Sequence, residues 1–211
     1  MNIIIKKQVF TLHPYGSLYW KDRNILLISD LHLGKISHFR KNGFAIPNSA
    51  IPKNFEKLNE LLDLYQPQKI IFLGDLFHST LNSEWYYFDN WVQLISQKII
   101  LIEGNHDIVA KQFYENLHVE VVERLQIDDF LLTHHPMETD NLFNFCGHIH
   151  PRVVLSGLGK QYLKIPCYFR KPNQLILPAF GEFTGNYTLK PSTNDKVYVL
   201  TPNEVIEVNL V

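Results

Sequence analysis

Residues 69–75 read KIIFLGD, and this short stretch decides the fold class. A run of consecutive apolar residues is typical of a strand buried on both faces, and the Gly-Asp pair marks its end. The pattern returns in residues 98–107, KIILIEGNHD, and a similar run, NILLISD, occupies residues 24–30. The sequence therefore predicts buried core strands that each lead into a polar loop.

Helical patterns separate these strands. Residues 50–65 carry apolar side chains at helical spacing, and Pro67 ends the pattern. Residues 83–96 suit a second helix, with Ser83 as its N-cap. Two strand–helix–strand units in series predict a largely buried sheet with helices packed on it.

The character of the sequence changes after Leu117, where short strand-like segments follow one another. We predict strands at residues 119–122, 130–133, 142–146, 153–155, 164–168, 174–177, 197–200 and 205–208. Residues 8–20 predict a hairpin ahead of the first core strand. The expected fold is α/β, a sandwich of two sheets flanked by helices, in a single domain over residues 1–211.

The composition is that of an ordinary globular protein, with 45% hydrophobic and 19% charged residues. A formal net charge of -1 gives no overall basic field for nucleic acid or an anionic membrane. The two cysteines, Cys146 and Cys167, show no disulfide framework, which favours a reducing compartment. No apolar segment approaches the length of a membrane span, so we expect a cytoplasmic protein without a membrane partner.

Polar residues follow the predicted strands in five short motifs. These are Asp30-Leu31-His32, Gly74-Asp75, Gly104-Asn105-His106-Asp107, His134-His135 and Gly147-His148-Ile149-His150. Loops at one edge of a parallel sheet bring together residues that are distant in the sequence. Carboxylate, imidazole and amide groups without cysteine suit hard-to-borderline divalent ions. The set fits a pair of ions, which could clamp the attacking and leaving oxygens of an in-line displacement.

The last motif contains two histidines separated by one residue. On a strand, residues i and i+2 face the same side, so His148 and His150 are expected to aim at one spot. An isolated H-x-H pair is weak evidence, since two such histidines are more often surface groups than metal ligands. The glycines before Asp75, Asn105 and His148 are expected to let the backbone turn sharply at each strand end.

In order and spacing, these motifs resemble the calcineurin-like metallophosphoesterase superfamily, whose pattern is D-x-H, GD, GNH[DE], H and GHxH. The resemblance implies a phosphoesterase with two divalent ions. It implies Asp30, His32 and His150 as ligands of the first ion, Asn105, His134 and His148 as ligands of the second, and Asp75 as the bridge. His134 is preferred to His135 because it directly follows the predicted strand at residues 130–133; His135 stays the alternative.

The same resemblance suggests further site residues. It implies that His106 stabilises the transition state or donates a proton to the leaving oxygen, with Asp107 fixing its tautomer. Alternatively, His106 only braces the metal loop. His78 is expected near the site, either in catalysis or in support of it. Asn105 and His106 are expected to contact substrate, whereas Arg40 could bind a phosphate or be an ordinary surface residue.

A closer resemblance extends beyond the metal pattern. Residues 30–47, DLHLGKISHFRKNGFAIP, residues 73–78, LGDLFH, and residues 178–185, PAFGEFTG, resemble the capless branch that includes the DNA ligase-associated DNA damage response endonucleases (PdeM). This implies a phosphodiesterase or endonuclease that acts on single-stranded or damaged DNA, with a ligase, helicase or exonuclease as partners. We expect Mn²⁺, although Fe and Zn²⁺ accept the same ligands. Residues 178–185 form either a turn that closes the second sheet or a wall of the cleft.

Other functions are compatible with the same motifs. The alternatives within the superfamily are a phosphomonoesterase, a protein phosphatase and a nucleotide or lipid-precursor pyrophosphatase. The lipid alternative is disfavoured because the sequence contains no amphipathic basic helix. A non-catalytic scaffold is disfavoured because neither the ligands nor His106 have been lost.

Overall fold

The computed structural model describes residues 1–41, 50–78, 80–181 and 184–210. Its first sheet contains seven strands that lie side by side in chain order. They are β1 (Asn2–Ile5), β2 (Gln8–Leu12), β3 (Leu18–Trp20), β4 (Ile25–Ile28), β5 (Lys69–Phe72), β6 (Lys98–Ile102) and β7 (Glu120–Val122). Strands β1 to β4 pair antiparallel, whereas β4 to β7 pair parallel.

Helices fill the crossovers between the parallel strands, as the strand–helix–strand pattern predicts. They are α1 (Lys35–Lys41), α2 (Ala50–Tyr65), α3 (Ser83–Leu94) and α4 (Lys111–Asn116). The predicted N-cap of α3 is wrong by one residue, because the side chain of Asn82 accepts the hydrogen bond from the Glu84 N–H. Asn82 has extended backbone, whereas Ser83 is already the first helical residue.

The second sheet is also mixed and contains nine strands. They are β8 (Leu125–Ile127), β9 (Phe130–Leu132), β10 (Phe143–Cys146), β11 (Pro151–Ser156), β12 (Tyr162–Lys171), β13 (Gln174–Ile176), β14 (Tyr187–Thr188), β15 (Lys196–Leu200) and β16 (Val205–Val208). Strand β10 runs parallel to β9 and β13. Strand β15 joins the sheet through β12 and carries β16 on its other side. All eight strands predicted after Leu117 are confirmed.

Aromatic side chains join the two sheets. Phe10 and Trp20 of the first sheet are fully buried and pack against the second. The ring of Phe10 lies 5.3 Å from that of Phe130 and 5.0 Å from that of Phe145, between centroids. Because such pairs add about 0.5–1.5 kcal/mol each beyond burial, this core fixes how the sheets stack. The predicted sandwich is therefore confirmed.

The helices cover the other face of the first sheet. Leu58 of α2 and Phe88 of α3 are fully buried in one cluster with Leu26 and Phe72 of the sheet. The indole N–H of Trp91 on α3 also donates a hydrogen bond to the side-chain oxygen Oδ1 of Asn59 on α2, at 2.9 Å. The helices thus hold the parallel strands in place and leave the strand ends free for other groups.

Candidate metal centre

The five polar motifs lie at the carboxyl ends of parallel strands from both sheets. Asp30 and Asp75 follow β4 and β5, and Asn105 follows β6. His134 and His148 follow β9 and β10 of the second sheet. The two sheets therefore meet at one edge, and their loops bring the predicted ligands together.

Asp75 is the central residue of this arrangement. Its side chain is 2% exposed, and its two carboxylate oxygens face different histidines. The oxygen Oδ2 lies 3.8 Å from His32 Nε2, whereas Oδ1 lies 3.4 Å from His134 Nε2. The backbone N–H of His106 also donates to Oδ1, at 2.9 Å, and orients the carboxylate.

The first cluster consists of Asp30, His32 and His150, whose candidate ligand atoms all lie within 4.8 Å of one another. His150 Nε2 lies 3.1 Å from Asp30 Oδ1 and 3.3 Å from His32 Nε2. The other ring nitrogen, Nδ1, lies 2.7 Å from the carbonyl oxygen of Gly185. Because a carbonyl can only accept, Nδ1 carries a proton, and Nε2 is the ring nitrogen that faces the cluster.

The second cluster consists of Asn105, His134 and His148. His134 Nδ1 lies 2.9 Å from the Leu73 carbonyl oxygen and so carries the proton. Its Nε2 lies 3.0 Å from Asn105 Oδ1 and 3.2 Å from His148 Nδ1. His135 is exposed and lies beside them. The candidate ligand atoms of His134, His135 and His148 all lie within 4.8 Å of one another. The buried position and defined tautomer of His134 favour it over His135.

The electrostatics of both clusters fit divalent cations. Imidazole nitrogens and two buried carboxylates converge, and a cation among them would offset the negative charge. Burial lowers the pKa of His32 to about 2 and also lowers the pKa of His148. Both therefore stay neutral, the form in which imidazole binds a metal. His32 Nδ1 is buried and has no hydrogen-bond partner among the described residues.

The backbone of the candidate ligands has an unusual conformation. Positive φ angles occur at Asp30 (55°), His32 (50°), Asp75 (51°), His148 (65°) and His150 (49°). Non-glycine residues rarely adopt this left-handed region, and each such residue costs of the order of 1–3 kcal/mol. The rest of the fold therefore holds these loops in place against their local preference.

The strand interpretation of the H-x-H pair is wrong. Residues 147–150 form the loop between β10 and β11, and both histidines are left-handed, so the alternation of a strand does not apply. His148 faces His134, whereas His150 faces Asp30. The two side chains therefore enter neighbouring clusters.

Only one of the predicted turn glycines has the left-handed backbone expected of it. Gly74 has a φ of 84°, and a Cβ there would also overlap the ring of His134. Gly147 does not have a positive φ, and a Cβ there would collide with Ser29 Oγ. Glycine at position 147 is therefore explained by close packing of two loops and not by turn geometry.

His78 and His106 lie beside the first cluster. Their ring centroids are 4.3 Å apart, and the His106 ring lies 5.7 Å from that of His32. Both line a cleft of about 370 Å³ that also exposes His32, Asp75, His148 and His150. Their imidazoles can therefore reach a molecule bound in the cleft.

Asp107 occupies a different position from the one expected. Its Oδ1 accepts from the Phe77 N–H and its Oδ2 from the Gly104 N–H, both at 2.9 Å. No contact between this carboxylate and the His106 ring occurs among the described residues. Burial raises the pKa of Asp107 to about 7. Asp107 thus ties the loop after β5 to the loop after β6.

Asp107→Ala is expected to destabilise the fold. The substitution leaves two backbone N–H groups without acceptors, and each unmet buried donor costs about 1–3 kcal/mol. We expect the free energy of unfolding to fall by about 2–5 kcal/mol in urea denaturation of the metal-free protein. Asp63→Ala, which removes an exposed carboxylate on α2, is the control and should stay within about 0.5 kcal/mol of wild type. Equal stability of both variants would contradict the bracing role.

The cleft also contains residues that the sequence did not indicate. Lys35, the first residue of α1, and Tyr187 of β14 both line it. The position of Lys35 directly after the D-L-H-L-G motif was an available signal, whereas nothing near Tyr187 distinguishes it. Arg40 is exposed on α1 and is not among the residues that line the cleft.

Residues 178–185 pass beside the site. The N–H groups of Phe180 and Gly181 donate to the carbonyls of Ser29 and Asp30. Gly185 lines the cleft and contacts His150. The wall interpretation is therefore supported at this end. Residues 182 and 183 lie outside the described residues, as do residues 42–47 of the segment 30–47.

Comparisons with known proteins agree with this geometry. The family model of calcineurin-like phosphoesterases matches residues 23–200, so the chain belongs to that family and is a metal-dependent phosphoesterase. Among solved structures, it is similar to the nuclease MPE of Pseudomonas putida, with 28% identity and a TM-score of 0.83. That alignment covers 98% of this chain and 99% of the nuclease.

More distant comparisons add little. The phosphoesterase Yfce of E. coli is 15% identical over 87% of this chain and 97% of its own, with a TM-score of 0.43. No curated protein matches the sequence. Among the described helices, none is long and apolar enough to cross a membrane.

Proposed function

We propose that this protein hydrolyses phosphodiester bonds of nucleic acid with two divalent ions, Mn²⁺ being the preferred metal. The observation that carries the proposal is the position of Asp75, whose two carboxylate oxygens face the two clusters separately. In this proposal the first cluster holds one ion, the second cluster holds the other, and Asp75 contacts both.

The residues of the chain have distinct tasks in this reaction. The two metal ions, when bound, would act as Lewis acids on the phosphoryl oxygens and lower the pKa of bound water. Alignment of the attacking and leaving oxygens would come from the ions that the two clusters would hold. His106 is placed to donate a proton to the leaving oxygen, with His78 beside it as support.

Apart from the proposed ions, the side chains of the cleft offer little positive charge to the second negative charge of a monoester. A phosphodiester carries one negative charge, whereas a monoester carries up to two at neutral pH. Of the described residues that line the cleft, Lys35 is the only lysine or arginine. Because Arg40 lies outside the cleft, no arginine among the described lining residues is placed to clamp a dianion.

A nucleic-acid substrate is supported by similarity to the P. putida nuclease over nearly the whole chain. We further infer a role in DNA repair, on single-stranded or damaged DNA, with a ligase, helicase or exonuclease as partner.

A cytoplasmic location is consistent with Cys146 and Cys167, which are both buried free thiols. With a net charge of -1, the chain should bind nucleic acid weakly and with a shallow salt dependence.

A panel of substrates tests the proposal. Bis-p-nitrophenyl phosphate, p-nitrophenyl phosphate, cyclic nucleotides, single-stranded DNA and duplex DNA should be compared on enzyme reconstituted with Mn²⁺. We expect the diester to be hydrolysed at least about tenfold faster than the monoester, and single strands to be cut faster than duplex, because the described residues include no groove-reading element. The Asp75→Asn variant is the control for contaminating activity, because any hydrolysis left in its preparation would come from other enzymes. Efficient hydrolysis of the monoester without cleavage of any diester would contradict the proposal.

A further inference from the structure

Two residues of the cleft are attached directly to the first cluster. The backbone N–H of Lys35 donates to the His32 carbonyl at 3.3 Å, and the N–H of Tyr187 donates to the His150 carbonyl at 3.0 Å. Since the rings of His32 and His150 approach to 3.3 Å, Lys35 and Tyr187 flank this pair. Lys35 comes from the loop after β4 of the first sheet, and Tyr187 belongs to the second.

The positive charge of Lys35 is attracted by the carboxylates of Asp75 and Asp30 without direct contact. Its side chain is half-buried at the start of α1 and lines the cleft. Within residues 1–41, 50–78, 80–181 and 184–210, its ammonium group makes no hydrogen bond and no ion pair. A lysine that is partly desolvated and in no direct ion pair suits an anionic group of the substrate.

Tyr187 has an aromatic ring that is open to the cleft. The residue is 65% exposed, and its ring stacks on no other ring in the described part of the chain. Its backbone is nevertheless fixed, because Tyr187 pairs with Pro151 between β14 and β11. A tyrosine whose backbone is held while its ring is free is suited to stacking against a flat ligand group.

We propose that Lys35 and Tyr187 form a nucleotide subsite, in which Lys35 contacts a phosphate of the strand and Tyr187 stacks against a neighbouring base. The subsite deepens the proposed function and rests on it, because it names what the cleft recognises beside the scissile bond. Stacking tolerates every base, so the subsite selects single-stranded nucleic acid without selecting a sequence.

Two chromogenic diesters test the stacking partner. The p-nitrophenyl ester of thymidine 5′-phosphate and methyl p-nitrophenyl phosphate release the same leaving group, and only the first contains a nucleoside. We expect wild type to prefer the nucleotide ester about 5- to 150-fold in kcat/KM. Tyr187→Ala should remove most of that preference, whereas Tyr187→Phe should keep it. Tyr86→Ala is the matched control, because Tyr86 is 71% exposed on α3 and does not line the cleft.

A binding measurement tests the phosphate contact without turnover. Fluorescence anisotropy of labelled oligothymidylate with the metal-free protein should show weaker binding by Lys35→Ala. The slope of log affinity against log salt concentration should fall by about 0.7, the value for one phosphate contact on a single strand. Lys35→Arg should restore both quantities. Lys53→Ala, an exposed lysine on α2 outside the cleft, should leave both unchanged.

The two proposals fail in different ways. If both diesters are cleaved equally well by wild type and Tyr187→Ala, the subsite is overturned while the diesterase function stands. If no diester is cleaved, the proposed function is overturned, and the binding measurement decides the subsite by itself. Unchanged oligothymidylate binding by Lys35→Ala and Tyr187→Ala then overturns it as well.

Discussion

Asp75→Asn is expected to abolish metal binding and activity together. In our proposal one carboxylate serves both ions, so removal of its charge weakens both clusters at once. Stabilisation of the transition state by bound metal is worth several kcal/mol, and each 1.36 kcal/mol is tenfold in rate. We therefore expect kcat/KM on bis-p-nitrophenyl phosphate to fall by about 10³-fold or more, with metal per chain measured by elemental analysis.

Asp75→Asn tests the carboxylate charge specifically, because the substitution preserves the hydrogen bonding of the neighbouring loop. The amide oxygen of asparagine can still accept the hydrogen bond from the His106 N–H, so the neighbouring loop keeps its position. Asp63→Asn on the exposed face of α2 is the control and should retain both metal and turnover. If Asp75→Asn kept two metals per chain with normal turnover, Asp75 would not be the bridging ligand.

His106→Ala is expected to reduce catalysis while the metals stay bound. Its contact with Asp75 is made by the backbone N–H, which alanine preserves. The substitution therefore removes only the imidazole, and kcat should fall by about 10²–10⁴-fold, the range for general acid–base catalysis. A substrate whose leaving group has a low pKa needs the proton least, so it should lose least.

Metal content distinguishes the two roles considered for His106. Loss of metal from His106→Ala would contradict proton donation and support a bracing role for the ring. The matched control is His118→Asn, because His118 is exposed and does not line the cleft. Asparagine tolerates the positive φ of 58° at this position. This control should match wild type in both metal content and kcat.

The elements that could be predicted from the sequence are those with a strong local pattern. Strand β5 is a continuous apolar run, and α2 has regular helical spacing, so both were expected close to their final bounds. Strand β8 was not predicted because the exposed Gln126 interrupts its apolar residues, and helix α4 was not predicted because six residues are too few to establish a helical period. The convergence of the motifs followed from topology alone, since parallel strands end at one edge.

The details of the site depend on contacts between loops, which leave no local pattern. The left-handed backbone of His148 and His150 is imposed by tertiary packing, so strand periodicity gave a wrong account of their orientation. Asp107 follows His106 in the sequence, yet its carboxylate bonds to the backbone of Phe77 and Gly104. Adjacency in the sequence therefore did not predict which groups these side chains contact.

The distribution of the candidate ligands between the sheets has a mechanical consequence. Asp30 and His32 follow a strand of the first sheet, whereas His150 follows one of the second; Asn105 and His134 divide in the same way. In our proposal each ion would therefore cross-link the two layers, as a disulfide does in a secreted protein. Ions that bind only the folded chain stabilise it by mass action. The metal concentration in the cell would therefore set the stability of the folded protein as well as its activity.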